Sequence, residues 1–432
     1  MRQGRVRGPG TRRAALVAAF LVTVVACAAV SASGARRNQA AEDGRSIRVG
    51  VVPGKKGPRI SATGDWRLLE SNGQTVLARG RSGDSWTVEA RSGRVRAARP
   101  DGTPTAWRDG PLVLRATGDG EFVSVDGKTY RGELWISGRP GDLVQLVNVV
   151  PMEQYLRGVV PLEIGTTRDL SEFAAIQAQA VAARTYAYAK LPLTTARPYD
   201  VAATVDDQVY GGVQAERPLS DRAVKETRGL VLRYGGRLAQ APYSATCGGS
   251  TAAQPEVWTH RREEPYLQPV SDRIPGTDRH FCDISPRFSW SRSYTADELN
   301  ASLERYLRGY AKVPAGGVGT TRLIAVDKLT PSGRVGTLTL VTDRDRYQLR
   351  GNAIRFVLRT SGGEILNSTY FSVESDVGRD GRLSRVTFTG RGNGHGIGMC
   401  QWGAIGRARA GQDFRTILRT YYQGTTIATI ED

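Results

Sequence analysis

The chain has 432 residues, enough for two or three domains and a substantial core. Lys and Arg total 60 against 42 Asp and Glu, a formal net charge of +18 that points to a polyanionic neighbour: nucleic acid, anionic lipid or an anionic wall polymer. Beyond the first 35 residues no apolar segment is long enough to span a bilayer as a helix, which excludes a polytopic helical membrane protein.

The N-terminus narrows the choice of partner. Arg2, Arg5, Arg7, Arg12 and Arg13 precede an apolar run from Ala14 to Val30, and the small residues SASGA follow at 31–35. This is the order of a secretory signal, so residues 1–35 read as a signal peptide or signal anchor. Cleavage and secretion come first, lipidation at Cys27 second and an uncleaved anchor third. Export sets nucleic acid aside as a partner and leaves membrane contact only through an N-terminal anchor or lipid. The expected location is secreted or wall-associated, on the outer face of the cytoplasmic membrane.

Residues 36–46 (RRNQAAEDGRS) read as a flexible spacer. Residues 47–140 carry short apolar runs such as IRVGVV, TVLARG, SWTVEA, LVLRA and LWIS, separated by turn signals such as SNG, SGD, PDG and GDG. They predict an N-terminal all-β module. Residues 143–150 (LVQLVNVV) predict a buried strand at the head of a second domain, 141–432.

That strand leads into PMEQYLRGVVPLEIG at 151–165, which places Glu163 at a Gly-terminated turn. An acid held where the chain changes direction can be aimed and partly desolvated, as proton donation requires. Asp169 reads as a helix N-cap with Glu172 completing a capping box. Phe173, Ile176, Ala180, Ala183 and Ala187 then recur at helical spacing. The alanines let other backbone approach closely. Gln179 and Arg184 are the polar candidates on this helix, although Arg184 taken alone reads as a solvent-exposed charge.

Two polar clusters follow. Asp206, Asp207, Gln208 and Tyr210 precede the pair Gly211-Gly212; Ser244 and Thr246 precede Gly248 and Gly249. Hydroxyls, amides and aromatics against exposed backbone suit a saccharide; the alternative is a turn with side-chain-to-backbone bonds. Cys247 and Cys282 read as a disulfide in an oxidising compartment, with Cys400 a separate buried thiol. A zinc site of Cys247, His260, His280 and Cys282 stays open beside it.

A helix is expected within 294–312, strands return over 319–375, and a short helix is expected at 414–422. Between them lies GRGNGHGIGMCQWGAIG at 390–406, with glycine at every second position from Gly390 to Gly398. Such spacing brings backbone N–H groups and His395 close to a ligand. It is neither a phosphate loop nor a dinucleotide fingerprint. The fold class read from these elements is α+β: mostly antiparallel strands with one alanine-rich helix after the Glu163 segment.

Seven motifs then fall in one order: VPMEQYLRGVVPLE at 150–163, QAVAARTYAYA at 179–189, DQVYGG at 207–212, YSATCGGSTA at 243–252, PYLQPVSD at 265–272, GRGNGHGIGMCQWGA at 390–404 and YYQGT at 421–425. On these the chain resembles the stage II sporulation protein D family, the sporulation and amidase-enhancer type of peptidoglycan lytic transglycosylase. The match runs from about Tyr130 onward. The resemblance implies cleavage of the bond between N-acetylmuramic acid and N-acetylglucosamine, closing a 1,6-anhydro ring, with Glu163 as the acid. It implies peptidoglycan glycan strands as partner, with a separate cell-wall amidase as a second; no cofactor is expected and no metal ligand is carried over. The alternative it carries is a non-catalytic wall-binding protein that stimulates that amidase.

The expected substrate-binding residues are Gln179, Arg184, Asp207, Gln208, Tyr210, Ser244, Thr246, Gly248, Gly249, His395, Gly396 and Gln401. The chain departs from the family at Ile164-Gly165, at Gln177 and at Ala245-Thr246-Cys247. Zinc ligands known in some relatives do not transfer, because the spacing here differs.

Overall fold

A computed structural model describes Met1, residues 45–379 and residues 382–431. The signal, lipid and anchor readings lie outside the described residues, as does most of the spacer. No helix among the described residues is long and apolar enough to cross a membrane. Residues from Ile47 onward form one unit, a mixed α/β fold with more strand than helix.

Strands between Ser46 and Pro151 supply six members of a seven-stranded sheet and all of a six-stranded one. Alternation explains their faces: in Glu133–Arg139, Leu134 and Ile136 turn inward. The next strand, Leu143–Pro151, is buried on both sides, which is why its sequence is apolar apart from the buried Gln145 and Asn148. It pairs antiparallel with Glu133–Arg139 from Leu143↔Arg139 to Val149↔Glu133. The seven-stranded sheet also takes in Val201–Ala202, which pairs parallel with Ser46–Lys55. One hydrophobic core runs from Trp66 and Trp86 of the strands to Tyr155 and Ala180 of the helices, so the β-rich region and the helices share their interior.

Helix α1 (Met152–Ile164) follows the buried strand directly. Met152, Tyr155, Leu156, Val159 and Val160 recur at spacings of three and four and are all buried. Gly165 ends it with φ 112°, a conformation that disfavours a side chain. Glu163 therefore occupies the last helical turn, just before the Gly165 that the sequence marked as ending a turn, and the helix runs through Pro161 to Ile164.

Helix α2 (Phe173–Lys190) is buried nearly all round, as its alanines require. It touches α1, the helices Pro218–Glu226, Gln401–Arg409 and Phe414–Tyr421, and the strand Leu230–Tyr234. The expected capping box is replaced. Asp169 accepts from Ser171 N at 2.8 Å and caps the 3-10 turn Leu170–Glu172. Glu172 is buried between Arg168 and Arg409 instead of reaching back.

The chain leaves this core after Phe288 and builds a second one. Strands Ser289–Thr295, Leu383–Arg391 and Phe371–Val377 form one sheet; Thr321–Leu329, Val335–Thr342 and Arg346–Arg350 form another. With helix Ala296–Tyr306 they enclose Leu299, Leu303, Leu338, Leu340, Val386 and Phe388. Gly392 N donates to Phe288 O at 2.7 Å, fastening the two chain crossings together. The sequence predicted the strands between Thr321 and Val377 but neither Ser289–Thr295 nor Leu383–Arg391, nor that together they hold a core of their own.

Candidate active site

Burial pushes the Glu163 carboxyl far up. Desolvation raises it from 4.5 to about 7, against the pull of the Val209 N–H and the Gln401 side chain. Val209 N donates to Glu163 Oε1 at 2.7 Å. Gln401 stands on the other side and donates from Nε2 to Gln179 Oε1 at 3.3 Å. Gln179 is fully buried and its own Nε2 has no partner among the described residues. The glycine-rich segment thus meets Glu163 through Gln401, the first residue of the helix Gln401–Arg409.

Two other acids near this segment, Glu153 and Asp207, are occupied. Glu153 forms a bidentate pair with Arg184, with Nε and Nη2 each at 2.7 Å. Asp207 Oδ1 accepts from Lys190 Nζ at 2.7 Å and Tyr186 hydroxyl at 2.9 Å, and its Oδ2 accepts from Ala202 N at 2.9 Å.

Several expected substrate contacts are corrected by burial. Arg184 is 0% exposed and belongs to the Glu153 pair, so it is neither a surface charge nor able to reach a sugar. Tyr210 rests on Gly158, where a Cβ would lie 2.5 Å from its ring. Its hydroxyl donates to Asn148 Oδ1 at 2.9 Å, and its ring packs on Tyr155 with centroids 5.0 Å apart. Gln208 is buried as a bridge: it accepts from Tyr155 hydroxyl at 3.1 Å and donates to Tyr243 hydroxyl at 2.9 Å. Asp207 holds its own loop. Thr246 is buried, with a hydroxyl that has no partner among the described residues.

The glycine-rich loop works through its backbone. Gly392, Gly394, Gly396 and Gly398 all have φ between 70° and 114°, the alternation the sequence displays. Gly396 N donates to Ser244 Oγ at 3.2 Å. Gly248 and Gly249, with φ of 76° and 106°, pack against Arg391 and His280. His395 is only partly exposed. Its Nδ1 accepts from Ile397 N at 3.0 Å, and the ring reaches the Tyr243 carbonyl. Burial, then the Arg355 cation, lower its pKa to about 3, so the ring stays neutral and props the loop while its face lies 5.1 Å from the Trp258 ring. Tyr243 connects this histidine to the Glu163 neighbourhood.

Two residues escaped the sequence reading. Arg168 Nε donates to Ile164 O at 2.7 Å, beside Glu163, and its guanidinium lies 4.8 Å over the Trp402 ring. Trp402 follows Gln401 in the glycine-rich motif, and that adjacency was the available signal. Together they offer a partly exposed aromatic and cationic face beside the acid. Two surface recesses, of about 360 Å³ around Arg67 and Arg115 and about 650 Å³ around Trp290 and Tyr370, lie elsewhere.

The cysteines depart from both readings. Cys247, Cys282 and Cys400 are all buried free thiols, and Cys247 and Cys282 stand 3.6 Å apart without a bond. Cys400 belongs to the same cluster, with Asp272 as the fourth member. His260 is exposed and His280 packs on Phe288 at 5.7 Å, so neither histidine joins.

A family model described as "Stage II sporulation protein" matches residues 141–234, and a domain of unknown function matches residues 278–398. The chain is 30% identical over 302 residues to stage II sporulation protein D of Bacillus subtilis (strain 168), covering 66% of this chain and 76% of that protein. It is 30% identical over 316 residues to an uncharacterized protein of Brachyspira hyodysenteriae, covering 73% and 76%. It is 31% identical over 343 residues to the amidase enhancer of Bacillus subtilis (strain 168), covering 71% of this chain and 45% of that protein, so it spans under half the enhancer's length. The chain belongs to the stage II sporulation protein D family. The second match, 278–398, coincides closely with the second core.

Proposed function

We propose that the protein is a peptidoglycan lytic transglycosylase acting outside the cytoplasmic membrane, with Glu163 as its single acid and base. The observation that carries this reading is a desolvated Glu163, raised to about 7, whose rival carboxylates are tied up in ion pairs. Hydrolytic glycosidases use two carboxyl groups. A lytic transglycosylase manages with one. Protonated Glu163 donates to the glycosidic oxygen, and positive charge develops at C1 of the muramic acid. The ionised Glu163 then takes the proton of that sugar's C6 hydroxyl as its oxygen bonds to C1. The bond to the leaving sugar breaks, a 1,6-anhydro ring closes, and no water is consumed.

Gln401 and the Val209 N–H hold the carboxyl in one orientation through both transfers. Trp402 and Arg168 supply an apolar ring face and a cation for the sugar and its anionic substituents. The net charge of +18 favours an anionic wall. Purified glycan strands incubated with the protein should yield anhydro-muramic ends in mass spectrometry; reducing muramic ends would mean hydrolysis instead.

The 31% identity to a protein named amidase enhancer supports a second reading, a wall-bound stimulator of a separate amidase. Glycan binding without turnover, together with faster peptide release when an amidase is added, would favour it.

A further inference from the structure

We infer that Cys247, Cys282, Cys400 and Asp272 form a tetrahedral zinc site that staples the first core across the inserted second one. One ligand atom from each residue lies within 4.8 Å of the others, and all four residues are buried. Zn–S bonds of about 2.3 Å set tetrahedral sulfurs about 3.8 Å apart, and a carboxylate oxygen slightly closer. The Cys247 and Cys282 sulfurs are 3.6 Å apart, and Cys247 Sγ lies 3.3 Å from Asp272 Oδ2. These two edges match a zinc tetrahedron, and the remaining ones, all within 4.8 Å, need only a small contraction to close on an ion.

The surroundings supply N–H donors to one of the sulfurs. Cys400 Sγ accepts from the N–H groups of Cys247 at 3.1 Å and Gly403 at 3.3 Å, at the N-terminus of the helix it caps. Neutral thiols are weak acceptors, whereas a thiolate at a helix N-terminus is favoured. Asp272 keeps Oδ2 toward the thiols while Oδ1 accepts from Tyr421 hydroxyl at 2.6 Å and Arg407 Nη2 at 3.0 Å. One oxygen free and the other held is how a ligating carboxylate is oriented. Three thiolates and a carboxylate around a divalent ion leave two negative charges. Arg407 and Arg334, both buried, stand there to offset them; Arg334 Nη2 donates to Cys247 O at 2.8 Å.

A disulfide between Cys247 and Cys282 would use two of the four groups and give no purpose to the convergence of Cys400 and Asp272. Zinc uses all four. Gly403 completes the fit: a Cβ there would lie 2.1 Å from Asp272 Oδ2. Cys282 precedes the second core and Cys400 follows it, so the ion would close that span. It would also fix the start of the helix that presents Gln401 to Glu163. The site stands whether or not Glu163 is catalytic.

The test is metal analysis of the full chain purified under reducing conditions, followed by titration of the metal-free protein with cobalt(II). The expected result is one zinc per chain, its release by a chelator with a fall in the unfolding temperature, and thiolate-to-cobalt charge transfer with tetrahedral ligand-field bands. The folded Cys400→Ser variant should bind cobalt at least about tenfold more weakly. Absence of zinc and of cobalt–thiolate absorption in the reduced protein overturns the proposal, as does a Cys247–Cys282 disulfide that persists when zinc is supplied. Wild-type cobalt affinity in Cys400→Ser overturns the assignment of the third thiolate.

Discussion

The backbone N–H of Val209 donates to Glu163 Oε1 at 2.7 Å, tying the tip of α1 to the loop that carries Asp207 and Tyr210. One oxygen of the carboxyl is thereby committed to the protein. The bond opposes the burial that pushes the group to about 7, so the acid is tuned between two environments rather than simply buried.

Removing that acid should stabilise the fold at neutral pH. The folded pKa is raised above the unfolded value of 4.5, so the folded state binds the proton more tightly. Stability is greatest below about 4.5, falls as pH rises to about 7, and is level above. Glu163→Gln keeps an acceptor for Val209 and carries no charge. It should gain up to about 3 kcal/mol over wild type at pH 8 and almost nothing at pH 4, read by denaturant unfolding at both values.

The same shift fixes the alkaline limb of activity. Glu163 must be protonated to donate, so kcat/KM should fall about tenfold per pH unit above pH 7. His395, held near 3, stays neutral throughout and cannot produce that limb. A rate level through pH 9 would contradict Glu163 as the acid.

Arg184 and Glu153 predict a purely structural effect. Arg184→Met leaves a buried, unpaired carboxylate and should cost about 3–5 kcal/mol. Adding Glu153→Leu should restore most of it. Thermal unfolding of the two single variants and the double variant makes the comparison.

Glycines with similar φ should differ sharply. At Gly398, φ 70°, a Cβ would lie 2.0 Å from Pro242 O; at Gly411, φ 82°, it would meet nothing within 4 Å. Gly411→Ala should cost about 1 kcal/mol from backbone strain alone. Gly398→Ala should cost about 3 kcal/mol or more and displace the loop carrying His395. Unfolding midpoints decide this.

Local pattern made some elements legible. The run at 143–150 and the apolar spacing after Phe173 gave a buried strand and α2 because periodicity is a property of neighbouring residues. The glycine alternation marked a loop with positive φ for the same reason. What failed depended on distant partners. Arg184 looked like a surface charge because Glu153 lies 31 residues away on another helix. Tyr210 suggested a sugar contact because Asn148, which accepts its hydroxyl, belongs to a strand 62 residues earlier. Cys400 looked solitary because its association with Cys247 spans 153 residues. The second core was hidden similarly: its strands are ordinary, and only their mutual burial defines it.

The most direct test of the central claim is the product spectrum of Glu163→Gln on purified, peptide-free glycan strands, beside wild type. Wild type should give anhydro-muramic ends, and the variant, its fold confirmed by its unfolding curve, none above background. Anhydro ends formed by the variant at the wild-type rate would show that the proton travels through another group.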